Sequence, residues 1–334
     1  MYTYVNIRHT PVDFGQHQNL RLRVLYSYEA VISGFAAKLI AEEAAKLSAV
    51  PGIVSVYEDT DRFQLLTTRS PGFLGLDFSN GIWPETGYGE DIVIGFIDSG
   101  IWPESASFSD DGLGPIPPHW KGECEEGEQF NRSCCIKKLI GVRMFPRGME
   151  AIHGPLDIAI GELDYSSLGD SVDHETHVAS TATGTEVSHA SLFGFANGTA
   201  RGVATKARIA MYKVSWLIGN EQKSTSSDIL AVIDKAIQDG VHCLSLSIGS
   251  LYQSYHKNFI SLGAFTAMRK GIFVSAAVGN SGLTFSVDNT TPWMTTVAVG
   301  TIDRTFMGKF MLGKSEVLLG TSFVYDLKVS SNRS

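Results

Sequence analysis

Asp91-Ile92-Val93-Ile94-Gly95-Phe96-Ile97-Asp98-Ser99-Gly100 is the stretch that most narrows what this chain can become. The nearly unbroken apolar run from Ile92 to Ile97 reads as a strand buried on both faces, the pattern of a parallel sheet covered by helices. It delivers an acidic side chain at its carboxyl end, where open α/β sheets place their sites. Ser99-Gly100 breaks the strand, so Asp98 is expected at the edge of the sheet, facing a crevice rather than held in a ladder. A strand-end Asp serves equally well to cap the next turn, and only the rest of the chain decides between the two roles.

Downstream the pattern repeats. Residues 207–214 read as a strand, and Ser227-Asp228 is expected to cap a helix with Ile229, Leu230, Ile233 and Ile237 on one face and Gly240 at its end. Residues 243–248 follow as a second strand, 259–268 as a second helix and 272–277 as a third strand. Such alternation implies a parallel α/β sheet with helices on its faces. Upstream, residues 24–28 and 34–39, an Ala/Glu-rich helix over 41–47 ended by Pro51-Gly52, and a strand over 53–57 suit a small α+β unit. Pro11 and Gly15 spoil any helix that would complete it, so the unit is expected to be incomplete.

With 334 residues the chain can form one large domain or two smaller ones. A formal net charge of -8 argues against nucleic acid or an anionic membrane as partner. No apolar run approaches the length that spans a bilayer, and Met1 to Thr10 lack the apolar segment of a signal peptide. Three of the four cysteines, Cys124, Cys134 and Cys135, share one polar loop, where a bridge from Cys124 to Cys134 or Cys135 would close a small ring and suit an oxidising compartment. Cys243 is expected to be a small core residue. Glycosylation sequons begin at Asn131, Asn197, Asn289 and Asn332.

Asp173-His174-Glu175-Thr176-His177 opens a small-residue helix running to about Gly184, and the first turn of a helix can aim a general base rigidly. Two histidines three apart around a glutamate also suggest zinc. The zinc hydrolase signature needs ligands four apart, one residue more than here, so metal binding ranks last. Residues 245–250 read as a core strand ending at Gly249, and Asn280 between glycines reads as a turn residue.

Several segments together carry a resemblance. Ser33-Gly34-Phe35-Ala36-Ala37-Lys38-Leu39 and Pro51-Gly52-Ile53-Val54-Ser55-Val56 resemble the inhibitor-type propeptide of plant subtilisin-like serine proteases, and Thr67-Thr68-Arg69-Ser70-Pro71-Gly72-Phe73-Leu74-Gly75-Leu76 resembles the sequence after its cleavage junction. Asp98 to Ser105, the His174 block and Gly279-Asn280-Ser281-Gly282 resemble, in order, three catalytic blocks of the family. The resemblance implies a subtilisin-like parallel sheet with helices on both faces, incomplete here, preceded by a ferredoxin-like α+β propeptide. Residues 1–66 would be that propeptide, cut between Leu66 and Thr67, and residues 67–334 the N-terminal part of the catalytic domain.

The same resemblance implies roles. Asp98 would be the triad aspartate, His174 the general base, and Asn280 the oxyanion donor. Ser247, Ile248 and Gly249 would form the edge that pairs with an extended polypeptide substrate. Cys124 would bridge Cys135 and leave Cys134 unpaired. No cofactor or metal is implied, the partners would be a polypeptide substrate and the chain's own propeptide, and the location would be the apoplast. The family's serine lies in a Gly-Thr-Ser-Met block; Gly320-Thr321-Ser322 is followed by Phe323, so Ser322 is not the nucleophile and the chain is expected to stop short of it. The alternative is a catalytically inactive binding or protease-inhibitory protein. Sheet-covering elements would be missing, leaving an apolar face exposed. Where the family has His-Gly-Thr-His this chain has Glu175, expected to crowd the substrate channel and, by its charge, to favour protonated His174.

Overall fold

The computed structural model describes residues 2–7, 23–28, 34–51, 53–58, 64–65, 74–76, 81–127, 130–161, 164–192, 195–249, 254–300, 307–311 and 317–321. Pro11, Gly15, Leu66, Thr67 and Ser322 lie outside them.

Four antiparallel strands, β1 (Tyr2–Ile7), β2 (Val24–Tyr28), β3 (Gly34–Lys38) and β4 (Ile53–Glu58), form an N-terminal sheet in the order β2-β3-β1-β4. Helix α1 (Ala41–Ser48) covers one face: Phe35, Ala37 and Leu39 bury against Leu47, Val50 and Val56. Strand alternation turns Ala36, Tyr26 and Tyr28 to the opposite face, into the core of the larger body. Strand β1, at the centre of this sheet, lies in the segment read above only as lacking a signal peptide.

The larger body is built on six parallel strands. These are β6 (Val93–Asp98), β7 (Leu139–Met144), β10 (Arg208–Lys213), β13 (Cys243–Leu246), β15 (Phe273–Ala277) and β16 (Thr295–Val297), in the order β16-β15-β13-β6-β10-β7. Val93 and Ile97 face helices α4 (Ser226–Asp239) and α5 (Phe259–Arg269), whereas Phe96 faces Val178 and Ala179 of α3 (His174–Thr183). Helices thus cover both faces, as expected. The α3 side is filled only in part: an open cleft of about 330 Å³, lined by Ile94, Val178, Ala182, Ser245, Ala277 and Val297 among others, runs over β13, β15 and β16.

Smaller pairs complete the described residues: β5 (Gln64–Leu65) with β14 (Ile248–Gly249), and the hairpins β8 (Val187–Leu192) with β9 (Phe195–Ala200) and β11 (Trp216–Ile218) with β12 (Glu221–Lys223). A separate C-terminal unit, residues 300–334, contains the hairpin of β17 (Met307–Met311) and β18 (Val317–Thr321). Cys124 and Cys135 are bridged and Cys134 is free. Cys243 is half-buried rather than in the core. Among the described residues no helix is long and apolar enough to cross a membrane.

Helix α4 corrects one detail. Its N-cap is Thr225, whose hydroxyl accepts from Asp228 N, and not the Ser227-Asp228 pair. Asp228 is instead fully buried and accepts Gly148 N at 2.8 Å and Met149 N at 3.0 Å, anchoring helix α2 (Arg147–His153). The N-terminal sheet docks on this joint, through Arg147 Nη1 to Leu25 O (2.6 Å), Arg147 N to Tyr26 Oη (3.0 Å) and Tyr28 Oη to Ser227 O (3.0 Å).

A Cβ on Gly148 would sit inside the contact radii of Thr225 Oγ1 and Ser227 Oγ and 2.8 Å from Asp228 Oδ2. Gly148→Ala should therefore destabilise the protein by roughly 1–3 kcal/mol, read as a lower urea midpoint with an unchanged m-value.

Candidate active site

Parallel strands present their carboxyl ends at one edge, so the ends of β6, β13 and β15 bring Asp98, Ser247 and the Asn280 loop to the same side of the sheet. Asp98 is not free of the ladder as expected: it is the last residue of β6, opposite Lys213 of β10, and its carbonyl accepts Val214 N. Its side chain is 0% exposed. Oδ1 accepts from His174 Nδ1 at 2.8 Å and from Ser99 N at 2.7 Å, so the carboxylate both faces a histidine and caps the turn.

His174 is the first residue of α3 and is 14% exposed. Asp173, in the left-handed region at φ 60°, gives no side-chain cap. That work falls to Asp170, unmarked in the sequence reading, which accepts Thr176 N (2.9 Å), Thr176 Oγ1 (2.7 Å) and Ser99 Oγ (2.9 Å). One buried carboxylate thereby ties the first turn of α3 to the end of β6. Gly100 makes this approach possible: at φ 118° any Cβ would lie 2.5 Å from Gly169 O. The Gly169-Asp170 loop is held in turn by buried Lys213, whose Nζ donates to Gly169 O (2.7 Å) and Asp164 Oδ1 (3.2 Å).

Glu175 contradicts its expected position. It is 1% exposed, packed beneath the sheet edge with its amide donating to Ser99 Oγ, and does not project into a channel. Burial, and then the adjacent Asp98, push its carboxyl well above the usual glutamate range; burial also raises Asp98, against the pull of His174. His177 is exposed on the helix, so the two histidines do not converge as zinc ligands would. One oxygen each of Asp98 and Glu175 and a ring nitrogen of His174 lie within 4.8 Å of one another.

The run 243–248 is not one strand. It breaks at Ser247, and Ile248–Gly249 leaves the central sheet to pair antiparallel with Gln64–Leu65. Asn289 fixes this departure: its Nδ2 donates to Ile248 O (2.9 Å) and Ala277 O (2.8 Å). Counted as a glycosylation sequon in the sequence, Asn289 is 5% exposed and its amide is committed, whereas Asn131 is exposed. Asn280 is exposed in the turn that Gly279 opens at φ 94°.

The Subtilase family pattern matches residues 89–332, which is most of the chain and includes every strand of the parallel sheet. The chain belongs to the subtilase family. Peptidase inhibitor I9 matches residues 10–63. Subtilisin-like protease SBT1.7 of Arabidopsis thaliana is 48% identical over 301 residues, covering 90% of this chain and 39% of the relative. Subtilisin-like protease SBT3 of Solanum lycopersicum is 42% identical over 319 residues, covering 93% and 41%. The chain thus spans about two fifths of these relatives' length. In fold it is similar to the epidermin leader peptide processing serine protease of Staphylococcus aureus, with a TM-score of 0.52 at 17% identity over 85% of this chain and 61% of that one.

Lys213 and Asp164 are 0% and 1% exposed, so removing one partner strands a buried charge. Lys213→Met should destabilise this subtilase chain by about 3–5 kcal/mol. The double variant with Asp164→Leu should recover much of that loss, which a urea double-mutant cycle measures.

Proposed function

We propose that these residues belong to a serine endopeptidase, in which His174 is the general base and Asp98 holds it. The observation that carries this reading is the 2.8 Å contact of His174 Nδ1 with a fully buried Asp98 at the carboxyl edge of the sheet. A carboxylate on Nδ1 fixes the tautomer that leaves Nε2 to take a proton from a serine hydroxyl, and stabilises the imidazolium that forms. Asn280 would donate to the oxyanion from the turn after β15. The serine block is not among these 334 residues, and Asp98, His174 and Asn280 alone do not make a nucleophile.

We also assign residues 1–66 as the propeptide, residues 67–334 as catalytic-domain sequence, and the cut to Leu66–Thr67. What supports this is the pairing of Leu65 with Ile248 and of Gln64 with Gly249, immediately before the proposed cut. An extended peptide added to the Ser247-Ile248-Gly249 edge is how a polypeptide substrate would lie. The disulfide supports an extracellular location.

In a protein joining these residues to the family's serine block, His174→Ala should lower kcat by at least about 10⁴-fold and abolish labelling by a fluorophosphonate; the 334-residue chain should stay unlabelled, and labelling at Ser322 would refute the assignment. Residues 1–66 added separately should inhibit a plant subtilase. Tyr28→Ala, which loses the Ser227 contact and a buried ring, should weaken that inhibition at least about tenfold; no inhibition by the unaltered segment would remove the propeptide reading.

A further inference from the structure

Asp98 Oδ1 is engaged twice, by His174 and by Ser99 N, but Oδ2 is buried and no donor from elsewhere reaches it. The same holds for Glu175 Oε1. One oxygen of each carboxyl and a His174 ring nitrogen lie within 4.8 Å of one another. Two acceptors cannot bond without a proton between them. Two adjacent buried carboxylates, both charged, would also be held at great cost.

We propose that Glu175 is a neutral carboxylic acid that donates its proton to Asp98, and that it is a positioning residue, supplying the donor Asp98 lacks and so fixing the carboxylate that faces His174. The surroundings say which carboxyl keeps the proton. The titratable groups around Glu175 are Asp98 on β6, His174 beside it on α3, and Asp170 in the preceding loop. Asp98 has the imidazole and the Ser99 amide to favour its charge. Asp170 has Ser99 Oγ, Thr176 N and Thr176 Oγ1, with Lys213 behind its loop. Glu175 faces both of these carboxylates, and burial acts on it in the same direction as their charge. Being neutral, it adds no charge to attract a proton onto His174, contrary to what its identity alone suggests.

The linkage to pH has a definite sign. Glu175 is protonated in the folded chain at pH values where the unfolded chain has lost that proton, so its contribution to stability is complete below the ordinary glutamate range. It declines as pH rises toward the raised folded-state value, where the proton leaves to solvent and a second buried charge appears.

Histidine-labelled 334-residue chain, with His174 assigned by its loss in His174→Gln, tests the proton count by NMR. Glu175→Gln keeps a donor and should leave the His174 titration midpoint unchanged, while removing the decline of thermal stability with rising pH. Glu175→Ala removes the donor and should raise the midpoint, because Asp98 then presents its charge undivided. If Glu175 were ionised, Glu175→Gln would instead lower the midpoint by about one unit or more, and the proposal would fall. The carboxyl ¹³C shifts of glutamate-labelled wild type need no variant: one glutamate should remain protonated at neutral pH, and ionisation of all of them overturns the proposal. A saturable shift of these signals on adding zinc alone, with loss of the proton, overturns it as well. The bearing on catalysis rests on His174 being the general base, but the proton count does not. A serine-containing protein that fails to hydrolyse peptides while Glu175 stays protonated would sink the first reading and leave this one standing.

Discussion

Asp98 is a carboxylate taken wholly out of water at the end of a central strand, and most of the neighbouring structure follows from keeping it there. An isolated buried charge of this kind would neutralise itself rather than persist. It is sustained by donors that must come from different parts of the chain: the imidazole of α3, the amide of the turn it begins, and a carboxyl one residue beyond the imidazole. The Ser99 amide is supplied by the turn itself, but neither of the others arrives unless the first turn of α3 lies against the end of β6. Asp170 makes that join, Gly100 gives the clearance for it, and Lys213 holds the loop that carries Asp170. The buried acid is therefore less a single site residue than the centre of a nested set of anchors, each of them buried and each satisfied by the next.

Four strands of the parallel sheet and the apolar helices were legible because they depend on local patterns: an apolar run ending in Asp98, a helix with Ile229, Leu230 and Ile233 inward, a glycine at position 240 to stop it. What was not legible depends on long-range pairing. Nothing local separates Asp170 from any other loop aspartate, since its partners lie at Ser99 and Thr176. Glu175 was legible as an oddity but not as to where it points; burial against Asp98 changes it from a charge in a channel to a proton donor under a carboxylate. Asn289 reads as a surface sequon, yet two carbonyls from different strands claim its amide. Strand β1 carries strand-forming residues, Tyr2, Thr3, Tyr4, Val5 and Ile7, but its place between β3 and β4 is set by long-range pairing.

The N-terminal sheet shows the same division. Its own helix accounts for one face, as its sequence pattern requires, but β3 is apolar on consecutive residues, Phe35, Ala36 and Ala37, and a strand buried on both faces needs a second cover. The second cover is α2 and the start of α4. Tyr26 and Tyr28 suit this junction because each has a ring to bury and a hydroxyl to place, one accepting from the Arg147 amide and the other donating to Ser227 O. The docking is thus written into the small unit's sequence, although its partner surface is not.

From that docking follows the position of Gln64 and Leu65. A two-residue strand paired to a two-residue edge contributes few hydrogen bonds and would not persist as a free peptide. Here the sheet that precedes it is already fastened at Leu25, Tyr26 and Tyr28, so the second contact is intramolecular and is favoured by effective concentration rather than by its own affinity. On the proposed reading this is why a cut after residue 66 would change the state of the cleft: it would turn one tethered ligand into a separate, docked inhibitor, whose hold then depends on the tyrosine junction and no longer on the chain.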